Sequence, residues 1–272
     1  MNDMTPPAVD RAPPTVNFLD PAFISDPYPF YHRLRETAPV LKTAMGFWLL
    51  TRFDDVSLAL KDRRFGKDFA GRVRRRYGED RMDEPAVANL ARTMLVQDPP
   101  DHTRLRGLVN KAFTARRVSD MRPRIQKLVD ETLDRVADKG GMDIILDLAH
   151  RLPVLVICDM LGIPEDHRAA FLAGSNVSGR ILEPVPMTRE EMDQANATVK
   201  MGNAYFDQLC ELRRKDPQDD LTTELVKAEE AGDRLSAEEL RSNIGLLFGA
   251  GHETTTNVIG NGLLALHRQP DQ

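Results

Sequence analysis

A lone carboxylate beside three threonines lies near the end of the sequence, in 249-GAGHETTTN-257. Between residues 242 and 266, Glu253 is the only Asp, Glu, Lys or Arg, so a charge stands in an otherwise apolar helical pattern. A carboxylate next to a hydroxyl can pass protons to an alcohol or to water, and Glu253 with Thr254 is therefore a candidate proton-delivery pair. The alternative is a bent helix, produced by threonine hydroxyls bonding back to the preceding turn, in which Glu253 pairs with an arginine elsewhere.

A zinc site of the His-Glu-x-x-His type is excluded at this segment. That motif places two imidazoles one helical turn apart. The residue four positions after His252 is Thr256, and the next histidine is His267. Gly249 and Gly251 instead remove side chains, which allows a flat cofactor or a small molecule to approach the backbone.

A second group of polar residues lies in 98-DPPDHTRLRGLVNKAF-113. His102 and Arg106 are four residues apart, so both project from one face of a predicted helix, and Val109 and Phe113 continue that face. Two cationic or hydrogen-bonding side chains next to an apolar stripe could bind a ligand that has carboxylates on one edge and is otherwise apolar. The alternative is a solvated basic face.

The basic residues around this segment are also compatible with binding of a macromolecular partner. The stretch 101–127 contains two acidic residues, Asp101 and Asp120. It contains eight lysines and arginines, at positions 104, 106, 111, 116, 117, 122, 124 and 127. This excess also suits an acidic protein partner. A nucleic-acid partner is disfavoured, because no recognition motif accompanies the basic stretch and the net charge of the chain is −5.

The elements that must position these residues are mostly helices. Helical spacing of apolar residues predicts helices at about 27–37, 54–61, 98–113, 121–138, 152–161, 165–174, 188–215 and 220–231. A short strand is predicted at 47–51, and the arginine-rich stretch 66–84 reads as a mobile surface loop. The expected fold class is mainly α with a small β part.

The final helix has clear start signals. Ser236 and Glu239 form a Ser-x-x-Glu capping box, and Leu235 can pack on Leu240 across it. Because the pattern beyond them is uncharged nearly all round, we expect a central, buried helix.

The composition of the chain and the absence of targeting or membrane segments limit the class of protein and its location. A chain of 272 residues with 41% hydrophobic and 29% charged residues is typical of a globular protein. We expect an extended proline-rich arm over residues 1–21 and one domain over 22–272. No signal-peptide pattern and no apolar run of about 18 residues occurs, which predicts a cytoplasmic protein with no membrane contact. Cys158 and Cys210 have no metal-ligand spacing and read as buried structural thiols.

Taken together, these segments resemble the cytochrome P450 family of haem-thiolate monooxygenases, in its soluble bacterial type. The resemblance rests on 98-DPPDHTRLR-106 and 250-AGHETT-255, and it continues in order through three other stretches. These are 26-DPYPFYHRLR-35, 152-LPVLVICDMLGIP-164 and 219-DDLTTELVKAEEAGDRLSAEEL-240. The implied activity is hydroxylation of a small apolar organic substrate with dioxygen and two electrons.

The resemblance implies haem b as the cofactor and assigns it residues. His102 and Arg106 would hold its propionates. Ala250 and Gly251 would lie over the distal face of the porphyrin, and Phe113 would pack near haem or substrate. Glu253 and Thr254 would then be the catalytic acid–alcohol pair that delivers protons for cleavage of the O–O bond. Electrons would come from a ferredoxin or flavodoxin.

One family feature is missing from the sequence. The iron-ligating cysteine of the family follows the central helix, so no metal ligand is expected within this chain and the axial Cys is expected beyond Gln272. We therefore expect an incomplete cytochrome P450 fold that ends after the long central helix and has no turnover of its own. The alternatives are a non-catalytic binding module or a truncated gene product.

Overall fold

The computed structural model describes residues 15–173, 177–230 and 235–272. Backbone contacts divide the chain into two compact units, Met1–Gly66 and Lys67–Gln272, and each is described by itself. Most of the predicted proline-rich arm, residues 1–14, lies outside the described residues. The predicted fold class, mainly α with a small β part, is confirmed.

The first unit combines short helices with a two-stranded antiparallel sheet. Its elements are α1 (Pro21–Ser25), α2 (Tyr28–Thr37), β1 (Val40–Lys42), β2 (Trp48–Leu50) and α3 (Phe53–Lys61). The predicted strand is β2, and its partner β1 was missed because three residues carry almost no periodicity. Helix α2 matches the predicted helix at 27–37, whereas the short helix α1 was not predicted. The Asp20 carboxylate caps α1 by accepting a hydrogen bond from Ala22 N (2.8 Å), just ahead of its proline-started turn.

The second unit is helical throughout the part that the structure describes. Its α-helices are α4 (Phe69–Tyr77), α5 (Pro85–Ala91), α6 (Asp101–Ala112), α7 (Ala115–Asp120), α8 (Arg122–Ala137), α9 (Arg151–Met160), α10 (Arg168–Ala173), α11 (Arg189–Lys215), α12 (Leu221–Glu230) and α13 (Ala237–Arg268). Each helix predicted in this unit overlaps one of these and begins within one turn of it.

The predicted loop at 66–84 is wrong, because α4 occupies its centre. Phe69 and Val73 are four residues apart and both are buried, so they form the apolar face of a short helix. Asp68 caps it by accepting a hydrogen bond from Gly71 N (3.2 Å). Four arginines among the nine residues of the helix obscured this two-residue apolar signal.

The larger core of the unit lies between α6, α9, α11, α12 and α13. It contains Leu105, Val154, Leu225 and Ile244, all at most 1% exposed. Helix α13 packs on both α9 and α11. Cys158 and Cys210 belong to the same core, which agrees with the prediction of buried structural thiols.

Helix α13 begins at the predicted capping box, but less of its length is buried than predicted. Ser236 Oγ accepts from Glu239 N (3.1 Å) and Glu239 Oε2 accepts from Ser236 N (2.9 Å), which confirms the capping box. The helix is continuous to Arg268, but most residues from Glu253 onward are exposed. The expectation of a buried helix therefore holds only for its first half, because the second half is covered on one side alone, where the π-helical turn Ile144–Ala149 approaches Gly260. Among the described residues no helix is both long and apolar enough to cross a membrane.

Candidate functional site

Asp98 lies just before α6 and anchors this segment to another part of the second unit. Asp98 does not cap the helix, which begins at Asp101. Its carboxylate accepts hydrogen bonds from the backbone N–H of Lys67 (2.9 and 3.0 Å) and of Asp68 (3.3 Å). This contact joins the α6 segment to the chain before α4 and brings Lys67 toward His102.

A cation group formed by Lys67, His102 and Arg106 lies at this end of α6. His102 is half-buried and Arg106 is exposed on the same helical face. Burial lowers the pKa of His102, and the nearby charges of Lys67 and Arg106 lower it further, against a smaller opposite effect of Asp98. A site whose cations repel one another in this way would be stabilised by an anion bound between them.

The apolar stripe predicted to continue this face is divided. Val109 is 6% exposed and belongs to the core, so it is not available to a ligand on the surface of α6. Phe113 follows the last helical residue and keeps 37% of its surface exposed. Of the two, Phe113 is the residue that can still contact a bound group.

Two contacts that the sequence did not indicate join this region to α13. Arg104 donates to both carboxylate oxygens of Glu239, at 2.5 and 3.2 Å, in a bidentate ion pair between α6 and the first turn of α13. Asn243, 2% exposed, accepts from Met94 N (3.0 Å) and donates to Arg92 O (3.2 Å). The structure thus anchors the first half of α13 to α6 through Arg104 and to the segment before α6 through Asn243. Asn243 is one of three asparagines in α13, with Asn257 and Asn261, so an amide in an apolar helix did not by itself identify it.

The Glu253–Thr254 segment lies on the less covered side of α13. Thr254 Oγ1 donates to Ala250 O (2.7 Å), which is the predicted bond to the preceding turn. Ala250, Glu253 and Thr254 are all exposed, so the expectation that Glu253 is a buried carboxylate is wrong for this structure. Gly251 faces α9, where a Cβ would meet Ile157 Cδ1 at 3.4 Å, so packing against α9 also favours a small residue there.

His252 projects to the opposite side of α13 from Thr254, because the two residues are about 200° apart around the helix. It is 8% exposed, and its Nε2 atom makes no hydrogen bond with any described residue. Its ring meets the ring of His150 edge to face, with the centroids 4.7 Å apart. Burial lowers the pKa of His252, and His150 lowers it further while Glu253 opposes the shift. His252 is therefore a buried neutral imidazole.

A cavity of about 660 Å³ opens on this side of α13, between α10 and α11. His252 lines it, with Gly245 and Gly249 providing the space that side chains would fill. Four aromatic side chains also line it, from Phe171, Tyr205, Phe206 and Phe248, together with aliphatic residues and the polar side chains of Asn89, Thr198, Asn203 and Gln208. Such a wall favours a largely apolar organic molecule. The sequence offered only generic apolar residues for this region.

The residues present fit parts of a haem site. The cation group on α6 suits carboxylates such as propionates, and Ala250 and Thr254 give a small, exposed surface that a flat ring can approach. The two cysteines do not fit the axial position: both are buried within helices of the core, and burial raises the pKa of Cys158 to about 12. A thiol with such a pKa is neutral near pH 7 and is no thiolate ligand.

Comparison with known proteins identifies the family of the chain. The family model described as Cytochrome P450 matches residues 49–272. The chain is 42% identical to Cytochrome P450 107B1 of Saccharopolyspora erythraea, covering 95% of this chain and 64% of that protein. It is also 42% identical to the Vitamin D(3) 25-hydroxylase of Pseudonocardia autotrophica, over 92% of this chain and 60% of the relative.

A solved structure shares the fold as well. The crystal structure of CalO2 superposes with a TM-score of 0.84 at 30% identity, covering 95% of this chain and 64% of that one. The chain thus spans less than two thirds of the length of each of these proteins. The matched family model extends over most of the chain and includes both predicted motifs. The chain therefore belongs to the cytochrome P450 family.

Proposed function

We propose that this chain supplies the distal site of a haem-dependent monooxygenase that hydroxylates a small apolar organic substrate with dioxygen and two electrons. The observation that carries the proposal is the pair of motif segments held together in one unit. The Arg104–Glu239 ion pair (2.5 Å) holds α6, which carries His102 and Arg106, against the first turn of α13, and Glu253 and Thr254 lie farther along that same helix. Haem, when bound, supplies the activation of dioxygen.

In this proposal His102 and Arg106 hold the haem carboxylates. Arg106 is exposed and has no ion-pair partner among the described residues, so its guanidinium can form a bidentate pair with a carboxylate. A bound carboxylate would offset the effect of Lys67 and Arg106 on His102 and raise the pKa of His102 from its lowered value. Phe113 would pack against the apolar body of the same group.

Glu253 and Thr254 deliver protons in this proposal, beside the surface formed by Ala250 and Gly251. The hydroxyl proton of Thr254 is directed to Ala250 O (2.7 Å), so the lone pairs of Oγ1 can accept a hydrogen bond from water or from a protonated Glu253. The exposure of Glu253 allows it to exchange protons with solvent. When the hydroxyl turns away from Ala250 O, Thr254 would give its own proton to the reacting oxygen and take a replacement proton from the Glu253 carboxyl, which would in turn be reprotonated from solvent.

The substrate would lie beside the exposed surface formed by Ala250 and Thr254, on the opposite side of α13 from the cavity lined by His252 and Phe248. The similarity to the Vitamin D(3) 25-hydroxylase supports a hydrophobic substrate with a reacting C–H bond. Hydroxylation is the corresponding proposal for this chain.

An acidic redox partner, a ferredoxin or a flavodoxin, would supply the electrons. Part of the basic stretch is already paired: Arg117 contacts Asp219 (3.0 Å), and Arg124 pairs with buried Asp159. Arg116 remains 92% exposed, with only a long contact to Asp120 (3.6 Å). The surface available to such a partner is therefore smaller than the count of basic residues suggested.

Titration of the purified chain with haem tests the cofactor assignment. Arg106→Gln is expected to weaken binding about tenfold, because one charge-assisted bidentate contact is lost. Arg63→Gln is the matched control, since Arg63 is exposed and has no assigned contact with the cofactor. Equal affinity of the two variants would contradict the assignment.

The reduced, CO-bound spectrum of the same sample tests the axial ligand. We expect no thiolate-type Soret band from this chain, because Cys158 and Cys210 are both buried in the core. A thiolate-type band would show that a core cysteine had been recruited and would overturn this view of the fold.

The second candidate function is a non-catalytic binding module. The exposed cation group of α6 favours it, because binding of a carboxylate ligand there does not need Glu253. A binding module is sensitive to Arg106→Gln and insensitive to Glu253→Gln, whereas an oxygenase completed by further polypeptide loses product formation in Glu253→Gln.

A further inference from the structure

A cavity of about 600 Å³ lies between α8, α9 and α10, separate from the aromatic cavity. Helices α8 and α9 run antiparallel along it, since Arg124 near the start of α8 pairs with Asp159 near the end of α9. The other end of the same groove is lined by Arg135 of α8 and Arg151 of α9. The two ends differ in how their charges are balanced.

At the first end every cation has a carboxylate partner. Asp159, whose side chain is 3% exposed, pairs with both Arg124 and Arg168, the latter at 3.0 Å. Lys127 pairs with Glu131 on the same helix at 3.6 Å. This end of the groove is a closed network of ion pairs.

At the second end two guanidinium groups have no anion among the described residues. Arg135 and Arg151 appear in no ion pair, and the Nε atom of Arg151 is buried without a hydrogen-bond partner. Burial lowers the pKa of Arg151, and the charge of Arg135 lowers it further. Glu165, the remaining carboxylate of the lining, is exposed and pairs with neither arginine.

The position of Arg135 alone has a simple explanation, and the pair has none. Arg135 lies in the last turn of α8, where the helix dipole favours a cation. Arg151 begins α9 directly after the π-helical turn Ile144–Ala149, so no helix C-terminus favours a cation there. A half-buried arginine with an unpaired Nε, facing a second arginine, is costly unless an anion joins them.

We propose that Arg135 and Arg151 form a binding site for a phosphate group at the open end of this groove. Two guanidinium forks can each donate a pair of hydrogen bonds to one tetrahedral oxyanion. Leu128, Leu155 and Leu172 line the groove beside them, so a phosphate ester with a small apolar part fits better than the bare ion. The site is independent of haem, of dioxygen and of the oxygenase function proposed above.

Calorimetric titration of the full chain with inorganic phosphate at constant ionic strength tests the site. Arg135→Gln is expected to weaken binding about tenfold, because a charge-assisted contact is lost while the exposed position preserves the fold. Arg151→Gln should do the same. Lys127→Gln removes one positive charge from the same groove at a residue already paired with Glu131, and it should leave the affinity nearly unchanged.

Three outcomes would overturn the proposal. The first is that the wild-type chain binds no phosphate. The second is that Lys127→Gln weakens binding as much as Arg135→Gln, which would indicate a diffuse positive field. The third is that acetate at the same ionic strength binds as tightly as phosphate, because a site built on two guanidinium forks favours the doubly charged tetrahedral ion.

Discussion

The two halves of α13 have similar apolar compositions, yet the fold encloses only the first. Ile244 in the first half is fully buried between α9 and α11, whereas Val258 in the second half is 70% exposed. A helix of this length extends about 48 Å, and α9 extends about 15 Å, so a short neighbour covers only part of the long helix. Burial along a helix is thus set by the neighbours that reach it. The Glu253–Thr254 pair lies where coverage stops, and this position leaves it accessible to a ligand.

The largest expected effect comes from removing a buried side chain of the first half. Ile244→Ala should lower the free energy of unfolding by about 2–5 kcal/mol, because it leaves a cavity in the core. The matched change Val258→Ala in the exposed half should alter it by no more than about 0.5 kcal/mol. Urea denaturation of both variants measures the difference. Similar losses would mean that the two halves are equally enclosed in solution.

A smaller effect is expected from the buried amide that joins α13 to the chain before α6. Asn243→Ala leaves Met94 N and Arg92 O without their partner, which should cost about 1–3 kcal/mol of unfolding free energy. Asn261→Ala is the control, since Asn261 is exposed on the same helix. If Asn243→Ala and Asn261→Ala unfolded at the same urea concentration, the prediction that only the first half of α13 is enclosed by tertiary contacts would be contradicted.

The N-terminal cap of α13 should contribute about 1 kcal/mol to the free energy of unfolding. Ser236→Ala removes the acceptor for Glu239 N (3.1 Å), while Ser236→Asp keeps an acceptor in place. Thermal unfolding should therefore show a lower midpoint for Ser236→Ala and a midpoint near the wild type for Ser236→Asp. A loss of the same size in both would show that the hydroxyl acts through another contact.

The smallest expected effect is a pH dependence arising at the boundary between the halves. The folded-state pKa of His252 is lowered by burial and by His150, so the unfolded chain takes up the proton more readily. Stability from this group is present above the unfolded pKa of about 6.5 and is lost as the pH falls below it, by at most about 1.4 kcal/mol per pH unit.

Replacement of His252 isolates its share of that pH dependence. His252→Gln should flatten the decline in the unfolding free energy between about pH 7 and pH 5. His267→Gln, at an exposed position in the second half, should keep the decline of the wild type. An unchanged slope in His252→Gln would show that His252 is not held neutral in the folded chain.

The features that sequence reasoning found are local. The Ser236–Glu239 box spans one turn, and the apolar spacing of α6, α8 and α11 is repeated over several turns, so each was visible without tertiary contacts. Helix α4 was missed because only Phe69 and Val73 carry its apolar face. The sequence also contains no sign that position 162 requires glycine. A Cβ there would overlap the carboxylate of Asp220, which is 58 residues away in sequence and is brought close only by the fold.

The site was only partly predictable for the same reason. The types and spacing of His102 with Arg106 and of Glu253 with Thr254 indicated chemistry within single helices. The Arg104–Glu239 pair and the bonds of Asn243 join residues far apart in sequence, and neither partner is unusual by itself. The exposure of Glu253 depends on which neighbouring elements cover α13, and that information is absent from the helix's own pattern.

Coupling of oxygen consumption to product formation in the haem-loaded protein that carries this chain tests the central claim most directly. Thr254→Ala is expected to release hydrogen peroxide in place of most of the product, because the hydroxyl that passes the proton is lost. Thr256→Ala is the matched control, since Thr256 Oγ1 makes the same kind of bond to the preceding turn, to His252 O at 3.1 Å. Full coupling in Thr256→Ala with uncoupling in Thr254→Ala is the predicted result. Equal coupling in the two variants would contradict the account.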